Sequence, residues 1–490
     1  MVNGDLSNPV PSNRTGAATR LLVGAAVLAL LVAACGGGAA SRSPSSAPAS
    51  VAPSGTSAGG SPTPAASVDP LAFNCAPADY AGPQVKLSFG WWVGGGDTAS
   101  DKLFKDGLDC FNEKYAGKIE VAVDYVPGGE DYEAKLRTDY AASGKLPVVV
   151  APKRVGDLAQ IWIDNDELVD LKPYFDASPD WQKIAIAEST AFNLVNGKLV
   201  AAPDTFVTPV GLFYNMELLG KAGVAKVPET WDEWWAALEK LKAAGIPAVS
   251  LHTQDIGWSA MLIYEALVAR TPEGVAFLGE KYPKDYNKPF IVEANRDIAR
   301  VFQYTTPDAV GAAYELAANN FKSGKTAIMP NGPWMIGEFR DPAQSSEGFG
   351  DKIASALYPG PVAVDDAGIQ RGDWGIGTGF SKEETDAAAE FIKFMAGGTE
   401  FTRQRVIRMG SIAPNLPLPP EDLASLDPLA ADLLTLIQDK KAPILPGYFV
   451  QWTSLIQNET IVQGLPQLAL GQISAEEFAQ QLTDAAQLTP

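Results

Sequence analysis

Between Val85 and Val150 the sequence alternates short apolar strands with amphipathic helices, and that alternation leaves few folds open. Val85, Leu87 and Phe89 alternate with Lys86 and Ser88; a glycine-rich turn follows, and then Leu103, Phe104, Leu108 and Phe111 recur at helical spacing. Ile119, Val121 and Val123 mark a second strand, Tyr132 to Ala142 a second helix, and Val148-Val149-Val150 a third strand. This order predicts a parallel sheet covered on both faces, so the fold class is α/β. At 490 residues the chain is about three times the usual single-domain length, and more than one packed core is expected.

Later helices carry clear start signals. Thr230 with Glu233 three positions on reads as a capping box, and Gly245 with Pro247 marks the stop, which predicts a helix over Glu229 to Ala244. Trp231, Trp234, Trp235, Leu238 and Leu241 share one side of it, the spacing of a core stripe rather than of a sugar platform. Ser474 with Glu477 starts another helix that turns Phe478 and Leu482 inward, and Asp386 to Met395 forms a third.

The first 70 residues follow different rules. Arg14 and Arg20 precede an uncharged, apolar run from Leu21 to Ala34, too short to span a bilayer comfortably and suited to a signal-peptide core. Small residues before Cys35 and three glycines after it resemble the lipobox of a bacterial lipoprotein, so 1–34 is expected to be removed and Cys35 lipidated. Residues 36 to 70 are almost wholly Gly, Ser, Ala, Pro and Thr, a tether with too little apolar bulk to fold; with Cys35 and the approach to the first strand it is set at 35–83. Cys75 and Cys110 then remain as a pair in a compartment that permits oxidation, and a disulfide between them is expected.

Charge and composition remove several function classes. With 38 Lys+Arg against 58 Asp+Glu the formal charge is −20, which repels a phosphate backbone, so nucleic acid is not a partner. One histidine, His252, and three cysteines leave no His- or Cys-rich metal site and make a histidine-based triad improbable; no metal or cofactor is expected. What remains is a site of flat aromatic faces and short polar groups. Phe89-Gly90-Trp91-Trp92-Val93-Gly94-Gly95-Gly96-Asp97 offers both at the carboxyl end of the first strand, where open α/β sheets bind ligands. There Trp91 or Trp92 supplies a face, Gly95 and Gly96 allow close backbone approach, and Asp97 accepts hydroxyl hydrogen bonds. A phosphate loop is excluded, because no Gly-Lys-Ser/Thr follows the glycines and Asp97 would repel the anion.

Four stretches in order carry a resemblance: Asn196-Gly197-Lys198-Leu199-Val200-Ala201-Ala202-Pro203, Leu212-Phe213-Tyr214-Asn215, Pro228-Glu229-Thr230-Trp231-Asp232-Glu233, and Phe321-Lys322-Ser323-Gly324-Lys325-Thr326-Ala327-Ile328-Met329 running into Asn331-Gly332-Pro333-Trp334. Together they resemble the extracellular solute-binding proteins of carbohydrate ABC importers, the maltose-binding type. The resemblance implies two α/β lobes, 84–205 with 377–418 and 206–376 with 419–490, joined by crossing strands near Thr205 to Thr208, Gly377 and Asn415. It places Trp334 as a stacking tryptophan, with Trp258, Trp374 and Trp452 as further cleft aromatics. Asp97, Glu130, Asp131, Arg154 and Thr208 fall near the family's polar contacts. It implies a monomeric, non-catalytic receptor for a carbohydrate, held outside the cell membrane by lipid on Cys35 or free in a periplasm, with ABC permease subunits as partners. Two rivals stay open on the residues alone: a secreted glycan-active enzyme using two carboxylates, and a receptor for another solute such as a polyamine.

Overall fold

Strand Val85–Val93 lies parallel to Ile119–Pro127, from Val85 opposite Ile119 to Val93 opposite Pro127. The computed structural model describes residues 71–93, 98–152, 156–360, 363–365, 373–440 and 444–488. The expected signal segment, Cys35 and the tether to residue 70 lie outside the described residues, as do Gly95, Gly96, Asp97 and Arg154. Burial alternates along the first strand, which puts Val85, Leu87, Phe89, Trp91 and Val93 on one core face. Helix Ala99–Lys114 joins the two strands and buries Leu103, Leu108 and Phe111. The third strand, Val149–Val150, pairs antiparallel with Gly375–Ile376. This corrects the all-parallel expectation: its partner arrives from a distant part of the chain, so no strand-helix-strand crossover fixes its direction.

A second sheet centres on Pro209–Asn215, all seven residues of which are buried. Ile328–Asn331, Ile353–Ala356 and Ala363–Asp365 pair with it antiparallel, and Ile444–Pro446 pairs parallel with Ala363–Asp365. The buried apolar side chains accordingly gather into two main cores. One draws on Val85 to Ala202 and resumes from Ile376 to Met409. The other takes in Val210 to Ile328, Ala356 to Val364 and Tyr448 to Ala486.

Thr205 to Thr208 lie in one passage between these cores, and residues after Met409 form another. Val207 and Ile412 exchange both backbone hydrogen bonds there, at 2.8 and 2.7 Å. The hydroxyls of Thr205 and Thr402 meet at 2.6 Å, those of Thr208 and Ser411 at 2.8 Å, and the Asn415 amide donates to the Ala185 carbonyl at 2.8 Å. Gly410 turns the chain with a φ of +61°, and a Cβ on it would stand 2.8 Å from Pro333 Cβ, so both conformation and space require glycine.

The cap signals form. The Thr230 hydroxyl accepts the Glu233 N–H at 3.2 Å and starts helix Trp231–Ala243, although the Glu233 carboxylate reaches back to the Glu229 N–H rather than to that of Thr230. Trp234 is fully buried with Leu238 and Leu241, and Trp231 and Trp235 meet it edge-on at 5.5 and 5.1 Å, which makes this stripe a core feature. Ser474 and Glu477 complete their box at 3.1 and 2.7 Å.

The tether boundary at 83 moves. From Leu71 onward the chain is strapped to the first core: Arg408 donates to the Leu71 carbonyl, Gln404 to that of Ala72 at 3.1 Å, and Lys114 to that of Ala76 at 2.9 Å. Phe73 packs on Phe401 with centroids 6.2 Å apart. Cys75 is bonded to Cys110, as the cysteine count implied, with Cα atoms 5.1 Å apart and a sequence separation of 35. Closing a loop of that length stabilises by about 3 to 4 kcal/mol on the chain-entropy account. Replacing both cysteines by serine should lower the denaturant midpoint accordingly, and thiol titration of denatured, unreduced protein should find Cys75 and Cys110 unreactive; an unchanged midpoint would contradict the staple.

Candidate functional site

Trp334 stands where the two cores meet. It follows strand Ile328–Asn331 on a single turn, Pro333–Met335, is half-buried, and packs against members of both main cores. Helix Ala99–Lys114 touches that turn, and a Cβ on Gly337 would lie 3.2 Å from Ala99 Cβ. The helix that follows the glycine-rich segment therefore begins against the Trp334 turn. The indole also lies directly over Gly332, where a Cβ would sit 2.0 Å from a ring carbon. Gly332 has a φ of −104°, open to any residue, so the demand for glycine is steric.

Trp258 opens helix Trp258–Val268, which is buried from Ser259 to Val268. Three consecutive residues before it, Asp255, Ile256 and Gly257, have φ of +53°, +56° and +62°. A β-branched residue in that region costs on the order of 1–3 kcal/mol and persists only where neighbours hold it. Here the Asp255 carboxylate accepts the Tyr314 N–H at 2.8 Å, and the Tyr448 hydroxyl donates to the Ile256 carbonyl at 3.0 Å. The turn delivers the half-buried Trp258 ring 5.8 Å from that of Trp334, inclined by 41°. Tyr314 meets Trp258 edge-on at 6.0 Å.

A second aromatic group lies within the first core. Trp374 stacks on Trp91 at 4.0 Å and 14°, with the Phe104 ring nearly parallel to both at 6.1 and 6.3 Å. Trp91 is only 4% exposed, so its expected role as a ligand face is corrected: strand alternation points it into the core and Trp374 covers it. Trp92, on the opposite strand face, and Trp374 are half-buried.

Two other expectations are corrected. Trp452 is 1% exposed and walled by Tyr264, Tyr286 and Tyr448 at 6.2, 5.0 and 5.6 Å, a core position closed to a guest. Thr208 is also 1% exposed, and its hydroxyl is paired with that of Ser411 in the passage between cores. Asp131 is exposed near the start of helix Gly129–Ser143; the Glu130 side chain lies outside what is described. The structure thus brings Trp258 and Trp334 together and adds Tyr314, Asn331 and Asp255, which sequence reasoning did not select.

His252 lies behind this group. Its N–H donates to Ser259 Oγ at 3.2 Å, Nδ1 stands 2.7 Å from the same oxygen, and Nε2 has no hydrogen-bond partner among the described residues. Burial holds the imidazole neutral, with its pKa pushed down to about 3. Among the described residues no three His, Cys, Asp or Glu side chains gather as metal ligands, and no helix is long and apolar enough to cross a membrane.

Two cores joined by paired passages, with half-buried rings at their junction, define the class of two-lobed solute-binding proteins. A chitin oligosaccharide binding protein shares the fold with a TM-score of 0.69 at 20% identity, covering 83% of this chain and 99% of its own. A Streptococcus pneumoniae solute-binding protein solved with the blood group A-trisaccharide gives 0.64 at 21% identity, covering 81% and 98%. The profile of the bacterial extracellular solute-binding protein family matches residues 108–430, and the chain belongs to that family. A "Probable sugar-binding periplasmic protein" of Mesorhizobium japonicum is 27% identical over 261 residues, 51% of this chain and 58% of its own length, so the match spans less than two thirds of that relative.

Two outcomes are expected. Gly332→Ala should push the Trp334 indole out of place, changing tryptophan emission while the far-ultraviolet helix signal is retained; overpacking of this kind costs about 1–3 kcal/mol. The unfolded chain protonates His252 near pH 6.5 and the folded chain not until about pH 3, so this residue lowers stability as pH falls through that interval. His252→Asn should flatten the fall in Tm between pH 6.5 and 4 relative to the parent, whatever its own effect on Tm at pH 7.

Proposed function

We propose that this protein is a non-catalytic receptor that captures a carbohydrate, an oligosaccharide or glucoside, in the crevice between its two lobes and delivers it to the permease of an ABC importer. The observation that carries the reading is the tilted Trp258–Trp334 pair at the junction of the cores. Two inclined, half-buried indoles suit the apolar C–H faces of successive sugar rings, and a neutral guest needs no buried counter-charge. The cargo named for the Mesorhizobium relative and for the two solved structures supports the same class.

In this reading 84–205 with 377–418 form one lobe, 206–376 with 419–490 the other, and the Val207–Ile412 bridge lies at the hinge about which the lobes close. Cys35 carries the lipid that holds the monomer at the outer face of the membrane. Asp97, Glu130, Asp131 and Arg154 supply polar contacts to the sugar, and Trp92 and Trp374 further aromatic faces.

A thermal-shift panel of chito-, malto- and xylo-oligosaccharides, raffinose, spermidine and ferric ion tests the cargo, because a bound ligand raises Tm by mass action. A shift with at least one sugar is expected; a shift with spermidine or iron alone, or turnover of a chromogenic glycoside, overturns the reading. A stacking contact contributes about 0.5 to 1.5 kcal/mol beyond the area it buries. Calorimetry with the responding sugar should therefore show Trp334→Ala weakening affinity about tenfold or more, and Asp131→Asn much less. An unchanged affinity in Trp334→Ala would remove that indole from the site.

A further inference from the structure

The segments that carry Trp258 and Trp334 are remote in sequence, yet one residue, Tyr314, is bonded to both. The backbone N–H of Tyr314 donates to the Asp255 carboxylate at 2.8 Å, fixing the left-handed turn that ends at Trp258, and its ring stands edge-on to that indole at 6.0 Å. Its hydroxyl accepts from the Asn331 amide at 3.1 Å and lies 3.1 Å from Met335 Sδ, residues on either side of Trp334. Asn331 is fully buried, and its carbonyl oxygen accepts the N–H of Gly332, the residue over which the Trp334 indole lies.

The consequence follows from which atoms are left. Without the Tyr314 hydroxyl, the buried Asn331 amide retains one weak contact, to Met329 Sδ at 3.9 Å. A buried donor left without its acceptor carries a desolvation cost, which rotation of the amide relieves. Rotation withdraws the oxygen that holds Gly332 N–H, and the support of the Trp334 ring goes with it. On the Trp258 side the Asp255 bond is made by the backbone and the indole contact by the ring edge, both of which phenylalanine retains.

We propose that Tyr314 is the positioning residue that sets the angle between the two indoles, so that Trp258 and Trp334 act as one platform rather than as two independent contacts. For ligand binding the inference rests on the site proposed above; for ring geometry it does not.

The test is Tyr314→Phe in the full chain, read in two ways. Without ligand, two indoles 5.8 Å apart and inclined by 41° couple, and their contribution to the far-ultraviolet circular dichroism is read, over that of the other tryptophan pairs, as the difference between the parent and each of Trp258→Phe and Trp334→Phe. Tyr314→Phe should reproduce the same difference spectrum while its Tm stays close to the parent value. A spectrum identical to the parent's, or a change not shared with both tryptophan variants, overturns the proposal. With the panel sugar that responds best, Tyr314→Phe should weaken binding about five- to twentyfold, and adding it to Trp334→Ala should cause no further loss. Full additivity of the two losses overturns the coupling. If Trp334→Ala leaves binding unchanged, the site reading falls, and the ligand-free spectrum still decides the role of Tyr314.

Discussion

Two reciprocal backbone hydrogen bonds between Val207 and Ile412 tie together passages by which the chain leaves one core and comes back from the other. Much of the architecture follows from that narrow join. The hydroxyl pairs Thr205–Thr402 and Thr208–Ser411 flank it, so the polar groups of an otherwise buried crossing are satisfied by each other and need no water. Each core can then be packed on its own strands, and near the junction the Trp258 and Trp334 rings are left half-covered.

How much of this was legible in the sequence varied with the range of the interaction. Caps and stripes were legible because they are local: Thr230 and Ser474 announce their helices within three residues, and Trp234, Leu238 and Leu241 repeat at helical spacing. The disulfide followed from a count of cysteines and the compartment that the leader implied. Trp91 was readable and was misread, since the alternation of Val85, Leu87 and Phe89 continues through it onto the core face. Trp452 had no such signal: besides Tyr448 one turn before it, it is enclosed by Tyr264 and Tyr286, whose proximity only the folded chain creates. The antiparallel partner of Val149–Val150 was equally hidden, because Gly375–Ile376 returns from a distant part of the chain.

The least legible element is the left-handed turn at Asp255-Ile256-Gly257. Glycine, and more weakly aspartate, advertise positive φ, but nothing in a β-branched isoleucine between them suggests it. The conformation exists because distant groups, the Tyr314 N–H and the Tyr448 hydroxyl, hold its carboxylate and carbonyl. Local propensity and fold disagree there, and the disagreement falls beside the rings that the cores leave half-covered.

The strap from Leu71 to Ala78 has a mechanical consequence. It is sewn to helix Ala99–Lys114 by the Cys75–Cys110 bond and by Lys114, and to helix Thr399–Met409 by Gln404 and Arg408. Tension applied at Leu71 enters one half of the molecule through a covalent rivet and several polar stitches, and it dissipates there. The groups that take it up all belong to the first core, and none of these stitches reaches the sheet centred on Pro209–Asn215.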